Sequence, residues 1–109
     1  MFDHILDRSL ASHQDDRFVL RLYVVGNTPR SSRAIMNLKM ICETHLKGRY
    51  DLTVLDLYEQ PGHALEDQIV VAPTLIRRTP RPVRRMTGDL SQTNRVLEVL
   101  GLSSTGHLL

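Results

Sequence analysis

The sequence predicts a single three-layer α/β domain whose elements run β-α-β-α-β-β-α. Three observations predict it. Phe18 to Val25 (FVLRLYVV) is an apolar, β-branched and aromatic run with Arg21 as its one charge, the pattern of a strand covered on both faces. Ala34, Ile35, Leu38, Ile41, Cys42 and Leu46 then recur at spacings of three and four, the period of a helix with one buried face. Tyr50 to Leu57 (YDLTVLDL) follows as a second strand, with both faces at least partly buried. Strand, long helix, strand implies a right-handed parallel crossover. A chain of 109 residues suffices for one hydrophobic core and is too short for two.

Each element has its own stop and start signals. Gly26 and Asn27 end the first strand, Thr28 offers a capping hydroxyl, and Pro29 fits the first helical position because its φ is preset. Lys47 and Gly48 close that helix. Pro61 and Gly62 break the chain, and the residues from Ala64 to Val70 read as a short helix with Leu65 and Ile69 directed inward. Val71 to Thr79 (VAPTLIRRT) and Pro82 to Thr87 (PVRRMT) read as two short antiparallel strands. Proline cannot donate to a sheet ladder, so Pro73 and Pro82 suit strand beginnings or an edge. Asp89 with Gln92 forms a capping-box pattern, with Ser91 as the alternative cap, before a last helix that turns Val96, Leu97 and Leu100 to the core and ends near Gly101. This is the order of a thioredoxin-like domain. Its expected bounds are residues 18–102, preceded by an extension (residues 1–17) in which Leu6 and Leu10 line one side of a flexible or short helical segment, and followed by a loose tail (residues 103–109).

Composition narrows the function classes. The apolar fraction of 41% and charged fraction of 24% are those of an ordinary globular chain. No apolar run reaches the roughly 18 to 20 residues of a membrane span, and the first residues lack the order of a secretory signal. The lone Cys42 forms no internal disulfide, in keeping with a reducing compartment. The expected location is therefore the cytoplasm. The net charge of +2 conceals a cluster, Arg77, Arg78, Arg81, Arg84 and Arg85. It reads as a solvated face or a protein contact. No aromatic residue interleaves with these arginines to stack bases, so nucleic acid is not the expected partner.

No catalytic set can be assembled. A thiol oxidoreductase of this fold needs an activated thiolate at the start of the first helix, where this chain has Asn27, Thr28, Pro29 and Arg30. Cys42 lies about three turns further along on the apolar side and reads as a small buried hydrophobe. His4, His13, His45, His63 and His107 have no convincing metal spacing, and no Walker motif is present. No enzyme activity, metal or cofactor is expected. Ala72-Pro73-Thr74 resembles the cis-proline segment of thioredoxin-like folds, making Pro73 a cis candidate.

LYV and GNTP (Leu22 to Val24, Gly26 to Pro29), APTL (Ala72 to Leu75), and PVRR and TGDLS (Pro82 to Arg85, Thr87 to Ser91) together resemble the KaiB family of circadian-clock proteins from Phe18 to about Leu102. The resemblance implies a non-enzymatic component that binds a KaiC-type hexameric ATPase and alters its phosphorylation cycle, with a KaiA-like protein or a clock histidine kinase as further partners. It implies two folds: the thioredoxin-like one, and a ground-state fold of order βαββααβ that forms tetramers, against a monomer or dimer otherwise. The chain departs from the family pattern after Leu97, where the usual Gly, Asp and Tyr are missing, and Ser103 to Gly106 makes a poor strand. The thioredoxin-like state is therefore expected to dominate. The expected partner-binding residues are Asn27, Pro29, Arg30, Arg33 and Lys39 on or near the first helix, Tyr50 and Asp51 opening the second strand, and Arg84 and Arg85 of the PVRR segment. Competing readings are a stand-alone relative of the sensor domain of the clock kinase SasA, a thiol redox protein acting through Cys42, and an RNA-binding module using Arg77 to Arg85.

Overall fold

The computed structural model describes residues 17–102, so the expected extension before Arg17 and the tail of residues 103–109 lie outside the described residues. The elements are β1 (Phe18–Val24), α1 (Pro29–His45), β2 (Tyr50–Asp56), α2 (Pro61–Glu66), β3 (Thr74–Thr79), β4 (Arg84–Thr87) and α3 (Thr93–Leu100). The strands form one sheet in the order β2-β1-β3-β4. β1 pairs parallel with β2, as the crossover requires, and antiparallel with β3, which pairs antiparallel with β4. Strands before the last helix are the order of the thioredoxin-like prediction.

β1 is central because its residues suit two dry faces. Phe18, Leu20, Leu22 and Val24 point one way into the main core with Ala34, Leu38, Ile41, Cys42 and Leu46 of the first crossover, and with Leu90, Val96 and Leu100. Leu20 and Leu22 are completely buried, and each such side chain contributes about 1.5–3 kcal/mol through burial. Tyr23 points the other way and joins Leu55, Ala64 and Ile76 in a smaller cluster beneath α2. This alternation assigns α1 and α3 to one face and α2 to the other.

The turn after β1 is built from the residues that predicted it. Gly26 takes a positive φ of 53°, and its N–H donates to Asp56 Oδ2 at 2.9 Å. Thr28 caps α1 by accepting from the Ser31 N–H at 3.1 Å, and Pro29 occupies the first turn.

Three expectations need correction. α2 begins at Pro61, which is preset for a first helical turn instead of breaking the chain, and the helix ends at Glu66 because Gln68 adopts φ 56°. With this phase Ala64 is buried and Leu65 is 79% exposed. β2 lies at the sheet edge and, as expected, is partly buried on both faces: Tyr50 and Leu52 pack on the main core and Leu55 is buried in the smaller cluster. β3 starts at Thr74, after Pro73, which follows a cis peptide bond as expected; the Thr79–Pro80 and Arg81–Pro82 bonds are cis as well. The cap of α3 is Gln92, which makes no side-chain capping bond, while Asp89 and Ser91 lie in the preceding turn.

Candidate partner-binding surface

The arginine cluster is not uniformly solvated, because the Asp67 carboxylate and four backbone carbonyls divide it. Asp67 is buried at the end of α2. One of its carboxylate oxygens accepts from Arg21 Nη1 at 2.8 Å and from the Tyr23 hydroxyl at 2.6 Å, the other from Arg78 Nη1 at 2.8 Å. Burial alone would raise its pKa; the hydrogen bonds of Tyr23 and Arg21 and the charges of Arg21 and Arg78 outweigh it and hold the carboxyl below its ordinary range. Arg85 donates through Nη2 to the Asp67 carbonyl at 2.6 Å and through Nη1 to that of Gln68 at 3.2 Å. Arg77 is buried against α3, donating to the Leu100 carbonyl at 3.0 Å and the Pro82 carbonyl at 2.8 Å. Burial, then the neighbouring charge of Arg84, lowers its pKa. Arg81 and Arg84 remain exposed.

The nine expected partner-binding residues fall on two separate sides. Asn27, Pro29, Arg30, Arg33 and Lys39 are exposed on the turn before α1 and on α1 itself. Arg30, Arg33 and Arg85 line one open groove of about 580 Å³, together with residues 86–92, Arg95, Glu98 and Val99. Tyr50 and Asp51 lie at the opposite edge of the sheet from Arg84 and Arg85. There the Tyr50 hydroxyl donates to Glu43 Oε2 at 2.6 Å, and Asp51 holds both Nε and Nη2 of Arg17. The Glu43 hydrogen bond, followed by burial, pushes the Tyr50 pKa up to about 12.

Sequence reasoning missed Arg95 as a member of the groove and read Asp89 solely as a cap. A signal was present. Arg95 sits in the first turn of α3, where the helix dipole disfavours a cation, and neither α1 nor α3 carries an acidic residue in its first turn. Asp89 instead joins the groove's loop to α1: its Oδ2 accepts from Arg33 Nε at 3.4 Å, its Oδ1 from the Ser91 N–H at 3.1 Å, and its carbonyl from Asn37 Nδ2 at 2.9 Å.

The thiol lies in the core, away from the start of α1. Cys42 is fully buried in the main core, and burial, with a smaller contribution from the charge of Glu43, pushes its pKa up to about 12. The reactive species is the thiolate, which is negligible under those conditions. Among the described residues no group of three or more His, Cys, Asp or Glu side chains could hold a metal ion, and no helix is long and apolar enough to cross a membrane.

Comparison with solved structures agrees with the fold. Chloroplastic thioredoxin z superposes with a TM-score of 0.67 at 20% identity, covering 94% of this chain and 90% of that one. The N-terminal domain of Synechococcus elongatus SasA superposes with a TM-score of 0.64 at 23% identity, covering 79% and 85%. In sequence, the circadian clock protein KaiB3 of Synechocystis sp. is 47% identical over 87 residues, 80% of this chain and 83% of the relative. The circadian clock oscillator protein KaiB of Prochlorococcus marinus subsp. pastoris is 51% identical over 85 residues, 78% and 79% respectively. The KaiB domain model matches residues 21–102. With the sheet order, the turn before α1 and this match in agreement, the chain belongs to the KaiB family.

Proposed function

We propose that this chain is a clock-type regulatory protein that binds a KaiC-type hexameric ATPase and modulates its phosphorylation cycle, itself making and breaking no covalent bonds. The observation that carries this reading is the family membership of residues 21–102, combined with a fold whose turn before α1 displays Asn27, Pro29 and Arg30 at the surface. The position where a thioredoxin activates its cysteine holds Asn27 and Thr28, and the one thiol present is inert in the core. Charge on α1 steers and orients an incoming protein. We assign Asn27, Pro29, Arg30, Arg33 and Lys39 to the main contact. Arg84 extends it, while Arg85 holds the neighbouring α2 turn in place. Tyr50 and Asp51, on the free edge of β2, form a second and separate contact.

The likeness to the SasA N-terminal domain favours a second role on the same surface: competition with a clock histidine kinase for one partner. A pull-down of a KaiC-type ATPase from the same source, with and without ATP, tests the proposal. Association at micromolar concentrations, weakened by Arg30→Gln, is expected. Absence of association well above that range would overturn it, and kinase displacement from the ring separates the competitive role from an independent one.

A further inference from the structure

The groove between α1, β4 and α3 has a feature that family membership does not supply. Three arginines converge on it: Arg30 and Arg95 from the first turns of α1 and α3, and Arg33 from the next turn of α1. Arg30 and Arg95 make no ion pair or side-chain hydrogen bond among the described residues, and Arg33 has one long contact, 3.4 Å, to Asp89. The Arg30 guanidinium reaches across to the β4–α3 turn, with Nη2 4.0 Å from where a Cβ would stand on Gly88. Arg85 also lines the groove, but its guanidinium is engaged by the carbonyls of Asp67 and Gln68.

We propose that this groove takes an acidic segment of a protein partner, and that Asp89 is an internal placeholder whose carboxylate occupies Arg33 until that segment displaces it. The proposal rests on the reading of the chain as a partner-binding module and names the chemistry of what one surface of that module receives. Three observations choose a carboxylate-bearing peptide. A volume of about 580 Å³ accommodates several side chains and is far larger than a single ion needs. No aromatic side chain lines the groove to stack a base. Asp89 and Glu98 stand among the arginines, where they repel a continuous phosphate backbone but leave room for separate carboxylates. Asp89 is only partly buried and stands at a stretched distance from the half-exposed Arg33, so an incoming carboxylate with better geometry replaces it without leaving a fully buried charge unpaired.

The test is fluorescence anisotropy of labelled octaglutamate against the full chain and four variants, with labelled oligouridylate as the nucleic-acid arm. Arg30→Gln and Arg95→Gln weaken octaglutamate binding about two- to fivefold each, the scale of an exposed ion pair. Asp89→Asn keeps the acceptor for the Ser91 N–H while removing the competing charge, and strengthens binding by a similar factor. Lys47→Gln, beyond the far end of α1, changes nothing. The inference is overturned if octaglutamate does not bind, if Lys47→Gln weakens binding as much as Arg95→Gln, if Asp89→Asn weakens it, or if oligouridylate binds more tightly with the same variant pattern. Running the same variants against the ATPase ring separates the two claims: a ring that binds wild type, Arg95→Gln and Asp89→Asn alike sinks the groove alone, whereas octaglutamate binding without ring binding sinks the proposed function alone.

Discussion

Asp67 shows how one residue changes the meaning of a whole sequence segment. From sequence, a run of arginines reads as solvated charge. In the fold, Asp67 draws in Arg21 from β1 and Arg78 from β3, and its backbone carbonyl takes Arg85 from β4. None of this was legible, because Arg21 lies 46 residues from its partner and no local pattern announces the pair. The carboxylate has a folded pKa below its ordinary 3.8, so it adds stability that is fully present above that value and is lost as pH falls through the folded pKa. Asp67→Asn removes the negative charge and one of the two acceptor oxygens that Arg21, Arg78 and Tyr23 share, and is expected to cost about 2–4 kcal/mol at pH 7, somewhat less than a fully buried pair. Urea unfolding over a series of falling pH values checks this: the deficit is full at pH 7 and should shrink once the pH drops below 3.8 towards the lowered folded pKa, where the wild type loses the same charge. Cys42, by contrast, was legible, since a lone cysteine at an apolar position of a helical period has a packing role.

At the scale of elements, success followed local physics and failure followed context. β1 and α1 were legible because an unbroken β-branched run and the Thr28–Pro29 start have few alternative readings. α2 was misplaced because proline both ends one element and begins the next, and a six-residue helix is too short for a period to resolve the ambiguity. The partial burial of both faces of β2 was legible, but its place at the sheet edge was not, because apolar residues alone do not distinguish a central strand from an edge. The end of α3 carries a tighter constraint than its sequence suggests. Gly101 sits at φ 80°, and a Cβ there would come within 2.8 Å of Arg77 Nη1, the group that donates to the Leu100 carbonyl. Gly101→Ala therefore combines left-handed strain of about 1–2 kcal/mol with displacement of a buried guanidinium. Thermal unfolding should show a loss larger than that of Gly62→Ala in α2, where a Cβ meets nothing within 4 Å and φ is ordinary.

For the whole molecule, one sheet separates two regions with different tasks. The face carrying α1 and α3 holds the main core and the arginine groove, whereas the α2 face is fastened by the Asp67 network. The fold class was legible because β-α-β followed by a helix and two strands leaves few right-handed arrangements. The candidate surface was legible only in part: the α1 arginines were read correctly as exposed, but their meeting with Asp89 and Arg95 depends on how α3 packs across β4. The central claim is that a chain with this strand-then-helix carboxyl-terminal half recruits a KaiC-type ATPase through its α1 side. The most direct measurement is an amide NMR titration of the isotope-labelled chain with that ATPase. The account predicts strand shifts over Thr74–Thr79 and Arg84–Thr87, helical shifts over Thr93–Leu100, and selective loss of signal around Asn27 to Arg33 as the ring is added. A helix in place of those strands, or a spectrum unchanged by the ATPase well above micromolar concentration, would contradict it.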